Sequence, residues 1–249
     1  AKAEALRRVP EETIQDLHAA GLFRILQPRR VGGAELPFRA IVETSAIIGQ
    51  RSGSTAWVYG NLASHHWMLA MWDSRAQDEI WGDSPDTLIA SAFVFPAGHA
   101  VKTDGGYRLS GRWKFSSGID PSHWSMVGAI VHHESTGEGE YRMFLLPQGD
   151  YRPIDTWFVA GLKGTGSKDL EVIDAFVPAY RSLAVAETRG APTPGSLVNP
   201  GPLYRIPVFD MFPYVVAGAA LGIAEGALAS FTTETMSRIA SYSATRMAD

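Results

Sequence analysis

Cysteine is absent from the 249 residues, so the chain has no disulfide, no thiolate nucleophile and no Cys-ligated metal. That composition fits a reducing compartment such as the cytosol, and a cytoplasmic location is expected. Excess positive charge is missing too. With 22 Lys and Arg against 26 Asp and Glu, the net charge is -4, which gives no pull towards nucleic acid or anionic lipid. No Gly-x-Gly-x-x-Gly opens a helix after a strand, so the chain is not expected to oxidise NAD(P)H itself. The run GTGSK at Gly164 to Lys168 lacks the spacing of a phosphate-binding P-loop. The opening AKAEALRRVPEE has no apolar core of the kind a signal peptide needs. The most apolar stretch, Val215 to Ala229, is interrupted by Glu225 and several Gly; it is expected to be a helix packed inside protein rather than a membrane span.

What is present is ordinary globular composition, 45% apolar and 19% charged, in a chain long enough for more than one layer of structure. Residues 1–83 read as a helical domain. Pro10 with Glu11 and Glu12 makes a good first turn, Ile14, Leu17 and Leu22 share a face, and Gly21 can end the helix. PRRVGGAELPF then breaks the pattern before an apolar-periodic run from Phe38 to Ile48. A third helix is predicted from Ser54 to Met71, and Asp73 is placed to cap a fourth that runs through Trp81. Between 84 and 188 the period becomes two, with an Asp-Gly-Gly turn before Tyr107 and Leu109 and further strands around Trp124 to His132, Tyr141 to Pro147 and Leu170 to Val177. Residues 189–211 are rich in Pro and Gly and read as a connection, after which helix returns over 212–249.

Helical, then β, then helical order, carried by LHAAGLFRILQPRRVGGAELP with GSTAWVYG, by DGGYRLSGRWKFSSGIDPSHW and by GLKGTGSKDLEVIDAFVPAYR, resembles the acyl-CoA dehydrogenase superfamily. The resemblance implies an α+β fold with an N-terminal helical domain, a middle β domain and a C-terminal helical bundle, of which 212–249 would be the start. The details resemble the hydroxylase branch of that superfamily, the oxygenase components of two-component flavin-dependent monooxygenases that act on hydroxyphenylacetate and steroid-derived phenols. Phe115, Ser116, Ser117 and Gly118 stand where the dehydrogenases carry Thr-Asn, and Gly164 to Asp169 and Pro202 to Arg205 match the branch as well.

That resemblance implies hydroxylation of an aromatic or phenolic substrate through a flavin C4a-hydroperoxide. Reduced FMN or FAD would come from a separate NAD(P)H:flavin reductase, and the protein would be a homotetramer. A hydroxyl near flavin N5 would keep that species hydrogen-bonded and dry, and the alignment leaves Ser116 and Ser117 both open for the role. Paired Ser before Gly also make an ordinary turn. His65 is the implied substrate-side base, with Ser91 as its companion, since imidazole can take a proton from a phenol; a buried, hydrogen-bonded core histidine would look the same in sequence. The flavin is expected against Trp57, Ser91, Ala92, Phe93, Phe115, Ser116, Ser117 and Trp157, with Trp113 a further candidate on the face of Phe115. Arg238 is the candidate for a phosphate or ring edge and Arg205 for an acidic substrate tail. His132, His133 and Glu134 alternate along a predicted strand, so no metal site is expected. An acyl-CoA dehydrogenase and a non-catalytic scaffold protein are the competing readings.

Overall fold

A computed structural model of the chain describes residues 2–93, 97–132 and 137–238. His133, Glu134 and the predicted helical end at 239–249 lie outside them. Two short helices, α1 (Lys2–Leu6) and α2 (Glu11–Ala19), lead into α3 (Arg39–Gly49), α4 (Gly53–Leu69) and α5 (Ser74–Trp81). α2 starts at Pro10 with Glu11 and Glu12 in its first turn, and the chain leaves it through Gly21 at φ 68°. Ser52 caps α4 by accepting from Thr55 N, and Asp73 caps α5 by accepting from Arg75 N. α4 is the core helix. Only Gly53 and Trp57 along it are not buried, which explains why its apolar residues recur without a polar face.

The strands are β1 (Ile89–Ala92), β2 (Gly98–Thr103), β3 (Gly106–Ser116), β4 (Trp124–His132), β5 (Gly139–Pro147), β6 (Arg152–Ile154), β7 (Lys168–Pro178) and β8 (Ser182–Ala184). They form one sheet in the order β6-β7-β3-β2-β4-β5-β8, with β1 beside β4. β1 and β2 both pair parallel with β4, β1 along Trp124 to Val127 and β2 at Ile130 and Val131. β1 is therefore set directly against α4, and both carry residues of the site described below. The β3–β7 pairing shifts register between Trp113 and Ser116, and Phe115 takes φ 67° there. Bulky side chains avoid that conformation, so the backbone at Phe115 is strained. Trp113 consequently does not share the face of Phe115 as expected. It is buried, with Nε1 donating to the Gly128 carbonyl at 2.7 Å, while Phe115 is 54% exposed.

The returning helix α6 (Val208–Ser237) starts four residues before Phe212 and contains Pro213. Its Gly218, Gly222 and Gly226 lie against α3: a Cβ at Gly222 would stand 2.1 Å from the Ala46 carbonyl oxygen, and one at Gly226 would stand 2.4 Å from that of Gln50. The contact is backbone on backbone. Along the rest of α6, Leu221, Leu228 and Phe231 are each more than half exposed. Val208–Met236 is long and apolar enough to cross a membrane by length and composition; one face is apolar to seat on α3 and another is apolar with no described residue covering it.

Candidate active site

A cavity of about 510 Å³ opens where α4, β1, the end of β3, the 155–167 loop and α6 meet, within the range of roughly 300–1,000 Å³ typical of small-molecule sites. Trp57 comes from α4, Ser91, Ala92 and Phe93 from β1 and its end, Phe115 and Ser117 from the end of β3, and Trp157 from the loop. These side chains, far apart in sequence, are brought to one space. Phe115 and Trp157 meet edge to face at 6.0 Å and give the open cavity flat apolar walls.

The polar floor belongs to Ser117. Trp57 Nε1 donates to Ser117 Oγ at 3.0 Å, and Ser117 Oγ lies 2.7 Å from Ser167 Oγ. Ser116 is placed elsewhere: its Oγ is buried without a hydrogen-bond partner and does not line the cavity. Neighbouring positions on a strand end face opposite ways, and the bulge at Phe115 decides which serine faces in.

His65 sits one layer behind the cavity. Its ring is fully buried and stacks on Phe212, a cavity wall, at 6.2 Å and 18°. Nδ1–H donates to the Ile89 carbonyl at 2.6 Å, two residues before Ser91 on the same strand. That bond fixes the neutral tautomer and leaves the lone pair on Nε2, which has no partner. Burial pulls the imidazole down to about 4, against the partial support of the Ile89 carbonyl. The neighbouring His66 is held down to about 3, chiefly by burial and then by His65, His18 and Arg24, and its Nδ1 accepts from Trp81 Nε1 at 3.0 Å.

Both imidazoles stay neutral in the fold well below pH 6.5, where the unfolded chain takes up a proton on each. Between about pH 6.5 and 4 the unfolded state thus binds more protons, and stability falls as pH falls. Lowering pH from 7 to 5 is expected to cost on the order of 3 kcal/mol. Urea unfolding at the two pH values measures it, and an unchanged midpoint would mean that the pair is not buried and neutral.

Arg205 and Arg238 are not brought to this cavity. Both are exposed, neither lines it, and Arg238 ends α6 roughly 39 Å along the helix from Phe212. Among the described residues no group of three or more His, Asp or Glu could hold a metal. Several contributors carry no local signal in the sequence. Asn61, one turn beyond Trp57, lines the cavity and its Nδ2 donates to the Trp57 carbonyl at 2.8 Å; its helical spacing could have marked it. Thr165 and Ser167 sit in the GTGSKD run without an evident role there. Arg7 Nη2 donates to the Trp157 carbonyl at 2.9 Å, and Glu4 accepts from Lys163 N at 2.9 Å. The N-terminal arm thereby fixes the loop that carries Trp157, a contact across some 150 positions that no motif announces.

The chain is 38% identical over 227 residues to the oxygenase subunit HsaA of a flavin-dependent monooxygenase from Mycobacterium tuberculosis, covering 91% of this chain and 57% of that protein. It is 37% identical over 240 residues to the oxygenase component of an FADH2-dependent resorcinol hydroxylase from Rhizobium, covering 96% of this chain and 58% of that one. The crystal structure of 3-HSA hydroxylase from Rhodococcus sp. RHA1 superposes on all of it with a TM-score of 0.93 at 33% identity, over 63% of that structure. No family model matches. The chain spans about three fifths of the length of these relatives. Over its whole length the chain is thus homologous to part of the oxygenase components of flavin-dependent monooxygenases and shares their α+β, acyl-CoA dehydrogenase-like fold.

Proposed function

We propose that this protein is the oxygenase of a two-component system, hydroxylating an aromatic or phenolic substrate with O2 and reduced FMN or FAD delivered by a separate NAD(P)H:flavin reductase. In this reading it works in the cytoplasm as a homotetramer, residues 1–83 and 84–188 supply two walls of the flavin site, and α6 supplies a third through Phe212 and Val216. The observation that carries it is the largely apolar cavity with a hydrogen-bonded hydroxyl cluster, centred on Ser117, on one side. Reduced flavin, when bound, supplies the activation of O2 that oxygen insertion needs.

The residues present fit that group. Trp57, Phe115 and Trp157 offer flat surfaces to a flat ring, Ser91, Ala92 and Phe93 close the side, and Ser117 offers a hydroxyl to the polar ring edge at N5. With the ring in place, the apolar part of the lining would keep water from it, which would limit loss of reducing equivalents to peroxide. His65 is the base for the phenol. Its Ile89 bond holds Nε2 as the acceptor, and a phenol would reach that lone pair where Phe212, stacked on the ring, gives way. Its depressed basicity in the free protein makes it a weak base until a phenol replaces part of the apolar contact that burial imposes.

The test supplies the intact protein with FMN or FAD, a flavin reductase, NADH and ¹⁸O2, with resorcinol and a panel of mono- and polycyclic phenols. One labelled oxygen in the product is expected, with reduced flavin bound more tightly than oxidised. NADH consumption that yields only hydrogen peroxide with every phenol would overturn the reading.

A further inference from the structure

Three buried hydroxyls form a line along the polar side of the cavity, which all three residues help to line. Ser117 Oγ lies 2.7 Å from Ser167 Oγ, Ser167 Oγ lies 2.7 Å from Thr165 Oγ1, and Thr165 Oγ1 lies 3.0 Å from the Leu162 carbonyl oxygen. None of the three residues is more than 8% exposed. At the cavity end Trp57 Nε1 donates to Ser117 Oγ. An indole N–H can only donate, so one lone pair of Ser117 is committed. Its proton and its other lone pair are left to divide between Ser167 and the cavity.

Two settings satisfy the line. In one, Ser117 donates to Ser167, Ser167 to Thr165 and Thr165 to the Leu162 carbonyl, so Ser117 shows the cavity a lone pair. In the other, Thr165 donates to Ser167 and Ser167 to Ser117, and Ser117 shows the cavity its proton. The Leu162 carbonyl is paired in both, because Trp157 Nε1 donates to it at 3.1 Å and Thr165 N at 3.2 Å. Passing between the settings rotates three hydroxyls and moves no heavy atom.

We propose that Ser167 and Thr165 are positioning residues that let Ser117 match both redox states of the flavin, accepting from the reduced ring and donating to the oxidised one. This rests on the reading that flavin fills the cavity with N5 at Ser117. N5 presents a lone pair in oxidised flavin and an N–H in reduced flavin. A fixed donor such as a backbone N–H would pair with only one of them and leave the other short of a partner. The hydroxyl line pairs with either, so the protein can take up the reduced ring and release the oxidised one without stranding a buried polar group.

Ser167→Ala separates the two states. Facing oxidised flavin, Ser117 still accepts from Trp57 and donates into the cavity; it gives up only the bond it accepted from Ser167, and no proton is left without an acceptor. Facing reduced flavin, both its lone pairs are taken and its proton has no acceptor. Binding of reduced FMN is expected to weaken about tenfold, the order of cost of one unpaired buried hydroxyl, with oxidised FMN unchanged. That ratio lowers the midpoint potential of bound flavin by about 30 mV for a two-electron couple. Thr165→Val, which removes the acceptor of the Ser167 proton, moves the same way, and Thr165→Ser restores the wild-type ratio. Anaerobic fluorescence titration with oxidised and photoreduced FMN, repeated with FAD, gives the affinities; a spectroelectrochemical titration gives the potential, and melting curves establish folding. Equal losses in both redox states, or no loss in either, would overturn the relay. Failure of the wild-type protein to bind FMN or FAD in any state would instead remove the flavin reading beneath it.

Discussion

Ser117→Ala is expected to divert reduced flavin from hydroxylated product to hydrogen peroxide, with peroxide loss accelerated roughly 5- to 150-fold, the range that about 1–3 kcal/mol for a lost buried hydrogen bond corresponds to. The loss falls at a hydroxyl that lines the cavity and is held in place by Trp57 and Ser167. Alanine leaves the Trp57 N–H unpaired as well, so water drawn to it would add to the leak. Ser116→Ala is the control. The Ser116 hydroxyl is buried with no partner, so its removal gives up no hydrogen bond and is expected to leave coupling and melting temperature close to wild type. Peroxide formed per NADH consumed, with and without phenol, measures both variants. Equal coupling in Ser117→Ala and wild type would take the hydroxyl out of the chemistry.

His65→Ala is expected to lower the rate of product formation by about 10² to 10⁴, the usual worth of general-base assistance, while reduced-flavin affinity changes little. The separation follows from position. His65 lies behind Phe212 and is tied to Ile89 of β1, and it touches neither Trp57 nor Ser117 by any hydrogen bond in the structure. His65→Asn distinguishes a base from a structural ring, because an amide keeps a donor for the Ile89 carbonyl and has no comparable basicity. If Asn restores the wild-type rate, His65 holds β1 in place and does not take the proton.

Much of the fold could be read before any coordinates. Pro10, Gly21 and Asp73 announce their turns and caps because those signals act within one helical turn, and the Asp-Gly-Gly turn announces the β2–β3 hairpin for the same reason. The site was less legible, and the reason is local geometry that alternation does not encode. A strict period of two puts Trp113 and Phe115 on one face, but the register shift before Ser116 and the positive φ of Phe115 break it, and with it any choice between Ser116 and Ser117. α6 starts early because Pro213 is tolerated inside it, where a Pro in sequence reads as an interruption. Ser167, Glu4 and Arg7 act through partners tens to more than a hundred positions away. Such contacts exist only once the chain has closed.

The glycine seam between α3 and α6 makes α6 a beam resting on a fulcrum. Phe212 and Val216, at its near end, are walls of the cavity, while Gly222 bears on Ala46 roughly 15 Å further along the axis. Because backbone meets backbone there, no side chain can flex to absorb an added methyl group, and relief comes from tilting the whole beam. A tilt at the fulcrum swings Phe212 relative to His65. The fit of the cavity to a flat ring is therefore set in part by residues that never touch it, and small changes at Gly222 or Gly226 offer a way to widen or narrow the space without altering a single lining side chain.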